Sequence, residues 1–223
     1  MRSILLFWVL GAGLCSALGQ VVCIDPGHPS ENGSGTRGKT LTELDVAWRT
    51  ALLLRKGLED AGVTVVMTRS SKGTTVTNKR RAEIGNEAKA DLVVRLHCDA
   101  ASSSGFSVYY PDRAGTTKGV TGPSASVIRQ SAVAGGAFHQ AMAEALKGVL
   151  NNRGLHTDQA TNIGGKQGAL TGSIFSKVPV LLVEMLVLTN PKDEAFAQSK
   201  SGLPTLAKAL TQGTLAALER LGR

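Results

Sequence analysis

Three short apolar runs stand out from the polar background of this chain, and each ends on a residue able to do chemistry. They are Val21-Val22-Cys23-Ile24-Asp25-Pro26-Gly27-His28, Asp91-Leu92-Val93-Val94-Arg95-Leu96-His97 and Val178-Pro179-Val180-Leu181-Leu182-Val183-Glu184. Runs this short, rich in Val, Ile and Leu and without alternation, are the pattern of strands buried on both faces of a parallel sheet. Between the first two, Leu44, Ala47, Ala51, Leu54 and Leu58 recur at three-to-four spacing, which predicts a helix from about 42 to 61 with Gly62 as its stop. Positions 63–67 read as a further strand and 78–89 as a basic, mostly polar helix. Phe106 to Tyr110 alternates as a strand toward Pro111. A helix is expected over 125–150, with Gly135-Gly136 as a potential break, and a closing helix over 203–221. Residues 31–39 and 112–124 read as loops, and 151–177 as irregular with at most a short strand. Strands alternating with helices imply an α/β fold: three layers, a mostly parallel (mixed) sheet, and helices on both faces.

The N-terminus changes this picture first. Arg2 precedes the apolar stretch from Ile4 to Leu10, and small residues follow through Ala17 and Gly19, so residues 1–20 read as a secretory signal peptide and 21–223 as a single catalytic domain. Leu14 is bulkier than the residue that precedes a lipidated cysteine, so Cys15 is not expected to carry an anchor, and no stretch is long enough for a membrane span. Without Arg2 there are 24 basic and 17 acidic residues, a charge of +7, which suits attraction to anionic envelope polymers. Lys79, Arg80, Arg81 and Lys89 on the polar helix are the candidates for that contact, with a tie to the core as the alternative for Arg81. Nucleic acid is disfavoured, because no basic tract is interleaved with aromatics and no finger spacing is present. Cys23 and Cys98 are read as packed free thiols rather than a disulfide or metal ligands, with Cys98 turned away from His97 by strand alternation.

Beyond the carboxyl ends of such strands, ligands and chemistry gather in an open α/β sheet. His28, His97 and Glu184 fall there, and Glu43 opens the helix that follows the 31–39 loop. Taken singly, each has an ordinary explanation. Asp25-Pro26-Gly27-His28 can be a strand-ending turn with Gly27 at positive φ, and Thr40 to Glu43 matches a capping box in which Glu43 reaches back to a backbone amide. Together, two His and one carboxylate fit a catalytic zinc site with one coordination position open, and the second carboxylate fits a general base. A zinc ion there lowers the pKa of water to about 7 and polarises a carbonyl, which amide hydrolysis requires.

These residues resemble the zinc-dependent N-acetylmuramoyl-L-alanine amidases of the amidase 3 type over essentially the whole of 21–223. Asp25-Pro26-Gly27-His28 is similar to the family's first ligand motif. Glu43 lies fifteen residues beyond His28, as the second ligand does. Arg81 through Asn86 with Ala90 to His97 resembles the segment of the third ligand, and Pro179 to Glu184 with Thr189-Asn190-Pro191 that of the catalytic glutamate. The resemblance implies that His28, Glu43 and His97 hold Zn2+, that Glu184 is the general acid and base, and that the substrate is the amide between the lactyl group of N-acetylmuramic acid and L-alanine in peptidoglycan. It also implies an exported protein of the periplasm or cell wall, expected to be a monomer and open to an activator or targeting partner. Two loops depart from the pattern: Cys98-Asp99 follows His97 where a small residue and Asn are usual, and Pro29-Ser30 replaces Gly-Gly after His28. Rival readings are another zinc peptidase of the wall, or a catalytically idle wall-binding protein. His139 and His156 match no motif and are read as structural.

Overall fold

A computed structural model describes residues 19–223; the leader reading and Cys15 lie outside the described residues. The strands are β1 (Val21–Pro26), β2 (Thr64–Met67), β3 (Leu92–Asp99), β4 (Phe106–Tyr110), β5 (Gly115–Thr117), β6 (Val120–Gly122), β7 (Asn152–Thr157) and β8 (Val180–Val187). The helices are α1 (Glu43–Asp60), α2 (Asn78–Glu87), α3 (Ala125–Ala145), α4 (Asn162–Gln167), α5 (Thr171–Ile174), α6 (Pro191–Gln198) and α7 (Gly202–Arg220). Six strands form one sheet in the order β2-β1-β3-β8-β4-β7. It is parallel except where β4 runs antiparallel to β8, so the expected mixed, mostly parallel α/β sheet is what forms.

Strand alternation divides the sheet into two unlike faces. Val22, Ile24, Leu92, Val94, Leu96, Leu181 and Val183 point to one side, where they meet Val46, Leu54 and Leu58 of α1, Phe138 and Met142 of α3, and Leu206 and Leu210 of α7 in the main core. The other side carries only two small apolar clusters, Cys23 with Ala90, Val93 and Val180, and Tyr109 with Leu170 and Leu182. This second layer, built from α2 and the short helices α4 and α5, is thin, and it leaves a polar crevice at the carboxyl end of the parallel strands. Cys23 and Cys98 belong to opposite faces and are free thiols.

Several expectations need correction. His97 and Glu184 do not end their strands: β3 continues to Asp99 and β8 to Val187, because Cys98, Met185 and Leu186 extend the main core. The 112–124 loop contains the β5–β6 hairpin. Helix α3 stops at Ala145 rather than 150 and passes Gly135-Gly136 unbroken, Gly135 lying against Leu181, Leu155 and Tyr110. The short strand left open within 151–177 forms as β7, a six-residue edge strand with a polar Asn152-Arg153-Gly154 start, but the segment is not otherwise irregular, since α4 and α5 follow. Helix α6 was also not expected; Asn190 caps it and Pro191 supplies its first turn. Finally, α2 is not a free basic stripe. Arg81 is buried, Arg80 pairs with Glu83 and Glu87, and Lys79 pairs with Glu83.

Candidate active site

Glu43 is the first residue of α1, and the cap belongs to Thr42, whose hydroxyl accepts from the Asp45 amide at 3.2 Å. The capping box expected over Thr40–Glu43 is therefore displaced, and the Glu43 carboxylate is freed for the crevice. Its Oε2 accepts from the Thr36 amide at 2.6 Å, and its Oε1 from the Cys98 amide at 3.1 Å. Oε1 also lies 2.9 Å from His97 Nδ1 and 3.5 Å from His28 Nε2. His28 leaves β1 on a positive φ of 52°, a conformation expected instead at Gly27. Gly27 serves close approach: a Cβ there would sit 2.7 Å from His97 Cε1. Its backbone amide donates to the Leu96 carbonyl at 2.8 Å.

The proton positions follow from the partners. His28 Nδ1 lies 2.9 Å from the Gly33 carbonyl, which can only accept, so Nδ1 carries a hydrogen and Nε2 is the atom turned toward Glu43. His97 turns Nδ1 to the same Glu43 oxygen, while its Nε2 is buried without a partner among the described residues. One atom each from His28, Glu43 and His97 fall within 4.8 Å of one another. Two imidazoles and a carboxylate suit zinc better than the all-oxygen sets that calcium and magnesium prefer.

The electrostatics agree. Burial pushes the Glu43 carboxyl up, but His97, His28 and the Thr36 amide outweigh it and hold the group below its ordinary range. Burial lowers the His97 imidazole despite Glu43 beside it, keeping the ring neutral and able to act as a ligand. Glu184 pairs with His97 across β3 and β8. Burial, then the charges of Glu43 and Asp99, hold its carboxyl well above the usual range, while Arg153 and Arg95 act in the opposite direction. Its Oε2 is buried and unpartnered. All four expected residues are thus gathered, and His28, His97 and Glu184 line a cavity of about 190 Å³ with Ser30, Leu170 and Leu182.

Sequence reasoning missed what supports this group. Asp25 does not serve a local turn: it is fully buried and accepts from Arg81 at 2.6 Å, Arg95 at 2.9 Å and the Thr68 hydroxyl at 2.6 Å. Burial would raise its carboxyl, but the two guanidiniums and Thr68 outweigh that and hold it far below the ordinary range. The odd Asp99 finds a partner in Arg153 at 2.7 Å. Glu194 of α6 accepts from the amides of Lys39, Thr40 and Leu41 and pins the loop that delivers Glu43. Charged residues inside apolar runs, Arg95 above all, were the available signal. His139 and His156 bond Asn152 and the Arg153 carbonyl respectively, as structural residues do.

An open mixed sheet with a His, Glu, His cluster and a buried Glu beside it defines a hydrolase-like α/β protein, and the family is explicit. The chain belongs to the N-acetylmuramoyl-L-alanine amidase family, whose model matches residues 22–216. It is 29% identical over 202 residues to the probable cell wall amidase LytH of Staphylococcus aureus, an alignment covering 87% of this chain and 57% of that protein. The chain therefore spans a little over half the length of the curated relatives it matches. Among solved structures it is similar to the N-acetylmuramyl-L-alanine amidase Ami1 of Mycobacterium smegmatis, with a TM-score of 0.74 at 22% identity over 91% of this chain and 98% of that one. Ami1 of Mycobacterium abscessus gives a TM-score of 0.71 at 26% identity over 90% and 99%. No helix among the described residues is long and apolar enough to cross a membrane.

Proposed function

We propose that this protein is a zinc-dependent amidase that hydrolyses the amide between the lactyl group of N-acetylmuramic acid and the L-alanine of the peptidoglycan stem. Residues 1–20 serve as a leader that exports one catalytic domain, 21–223, to the periplasm or cell wall. His28, Glu43 and His97 hold the zinc. The observation that carries the reading is the approach of His28 Nε2 and His97 Nδ1 to one Glu43 oxygen, beside a second, buried glutamate in register with His97.

When bound, zinc supplies Lewis acidity toward a carbonyl and toward water. The chain's own residues do the rest. Glu43 is oriented by the Thr36 and Cys98 amides and His28 by the Gly33 carbonyl, so neither ligand has to be reorganised. Glu184, in register with His97 and with a buried, unpartnered Oε2, takes a proton from the attacking water and passes it to the leaving amine of L-alanine. Leu170 and Leu182 line the crevice and limit water around that transfer.

The test is mass analysis of peptidoglycan digested by the purified protein, with and without a chelator. An amidase releases intact stem peptides with a free alanine amine and leaves glycans with a free lactyl carboxylate. Shortened peptides would identify a peptidase instead, and binding without products an idle wall protein.

A further inference from the structure

We propose that Arg95 forms an anion subsite inward of the catalytic row, and that it receives the free α-carboxylate on the second residue of an unamidated stem peptide. The proposal rests on the amidase reading above. Arg95 precedes His97 by two residues on the same face of β3, and its register partner on β8 is Leu182, two residues before Glu184. The Cα of Arg95 therefore lies one pleat repeat, roughly 6.6 Å, from the row of His97 and Glu184. It lines the same cavity.

Its guanidinium is only partly used. Nε donates to Asp25 at 2.9 Å and Nη2 to Asn78 Oδ1 at 2.7 Å. Nη1 has no acceptor among the described residues, and it packs so closely on α5 that a Cβ at Gly172 would stand 2.5 Å from it. The buried charges around it are unequal too. Arg81 and Arg95 share the one buried carboxylate of Asp25, Arg69 is held by the backbone carbonyls of Pro26, Gly27, Ser71 and Lys72, and Glu31 at the rim is exposed. Two guanidiniums thus divide one carboxylate beside the cavity, and a further anion there would be favoured. Asp158 offers little relief, since burial holds its carboxyl above the usual range.

The substrate carries an anion close to its scissile bond. In peptidoglycan the second stem residue is a glutamate that continues the chain through its side-chain carboxyl, leaving the α-carboxyl either free or amidated. Two extended residue steps separate the scissile carbonyl carbon from that α-carboxyl carbon, about 7 Å. A carboxylate there accepts charge-assisted hydrogen bonds from Nη1, whereas the carboxamide brings no charge. Leu170 and Leu182 then flank the alanine methyl between the two points.

The experiment uses the zinc-loaded protein with the dipeptides L-Ala-D-Glu and L-Ala-D-isoGln, and reads Kd by NMR titration. Turnover of the corresponding muramoyl dipeptides is measured separately. We expect the acid to bind at least about tenfold tighter than the amide, as a lost hydrogen bond to a charged group predicts. Arg95→Gln should abolish the preference. Gly172→Ala, whose added Cβ would crowd Nη1 at 2.5 Å while the Arg95 and Asp25 side chains both remain, should reduce it, so a folding defect in the first variant does not protect the idea. Equal binding of the two dipeptides, or binding of neither, overturns the subsite whether or not muramoyl peptides are cleaved. Failure to cleave either muramoyl dipeptide counts against the amidase reading alone.

Discussion

Gly27→Ala tests whether the crevice is built to metal-site tolerance. The added Cβ would stand 2.7 Å from His97 Cε1, 2.8 Å from His97 Nδ1 and 2.8 Å from the Leu96 carbonyl. Ordinary contact begins near 3.4 Å, so one partner has to retreat by about 0.7 Å. The Leu96 carbonyl is held in β3, where it accepts the Gly27 amide, and β3 is clamped on both sides by β1 and β8. The imidazole therefore moves. Ligand distances in a metal site are good to about 0.2 Å, so a displacement several times larger breaks the geometry rather than softening it.

The expected result is a zinc affinity at least about tenfold to a hundredfold weaker, the range seen when the supports of a ligand are removed. Overpacking should also cost about 1–3 kcal/mol, a fall in Tm of roughly 2–4 °C for each kcal/mol in a domain of this size. Competition with a chromophoric chelator gives the affinity, and calorimetry gives Tm. Gly136→Ala is the control: nothing lies within 4 Å of a Cβ there, it sits inside α3, and it should be neutral or slightly stabilising. A Gly27→Ala protein that binds zinc as tightly as wild type would refute the claim that His97 is a ligand held by this contact.

Three further outcomes follow from the same contacts. Glu184→Gln should keep zinc and fold while losing at least about a hundredfold in kcat, and His97→Ala should lose metal and activity together; zinc content and turnover measured side by side separate the two roles. Asp25→Asn leaves Arg81 and Arg95 buried around a neutral amide and should cost about 3–5 kcal/mol in urea unfolding, a loss under 1 kcal/mol meaning that the arginines find other partners. Three backbone amides and the Thr40 hydroxyl bring the Glu194 carboxyl down to about 2. Its folded pKa lies below its unfolded one, so its stabilisation is complete above the ordinary carboxylate range and fades as pH falls toward 2. The stability gap between wild type and Glu194→Gln should narrow over that acid window, and a gap constant down to pH 2 would show that the amides do not depend on the charge.

The three central strands and their chemistry were legible because buried parallel strands are apolar on both faces and the reactive residues interrupt that run. Helix α1 was equally plain from its stripe. The edge of the sheet was not. Strand β7 is covered on one side only and begins with Asn152-Arg153-Gly154, so neither alternation nor apolar density marks it. The role of Glu43 was half visible and that of Glu194 was missed for a related reason. A carboxylate near a helix start satisfies local amides in most settings, and only tertiary folding shows that Glu43 answers to Thr36 and Cys98 while Glu194 answers to a loop more than 150 residues away. Asp25 was misread locally because both its charged partners come from distant elements, α2 and β3.

The same alternation links stability to chemistry. On β3, Leu92, Val94, Leu96 and Cys98 enter the main core, so Arg95 and His97 must face the crevice. On β8, Leu181, Val183 and Met185 do the same, which turns Leu182 and Glu184 to the site. A slip of one residue in either strand would bury charged groups in the core and expose its Val and Leu, so the large core fixes the register of the residues that act. Just past His97 and Glu184 the pairing changes: His97 faces Glu184, but Asp99 faces Val187, so β8 carries one extra residue. Bulges of this kind re-aim side chains beside functional sites. Here the irregularity lets Met185 through Leu188 stay buried while Asp99 remains at the crevice to pair with Arg153. Removing one residue from β8 after Glu184 would force either the core or that ion pair out of register, which makes the bulge a requirement of the site rather than an accident of the strand.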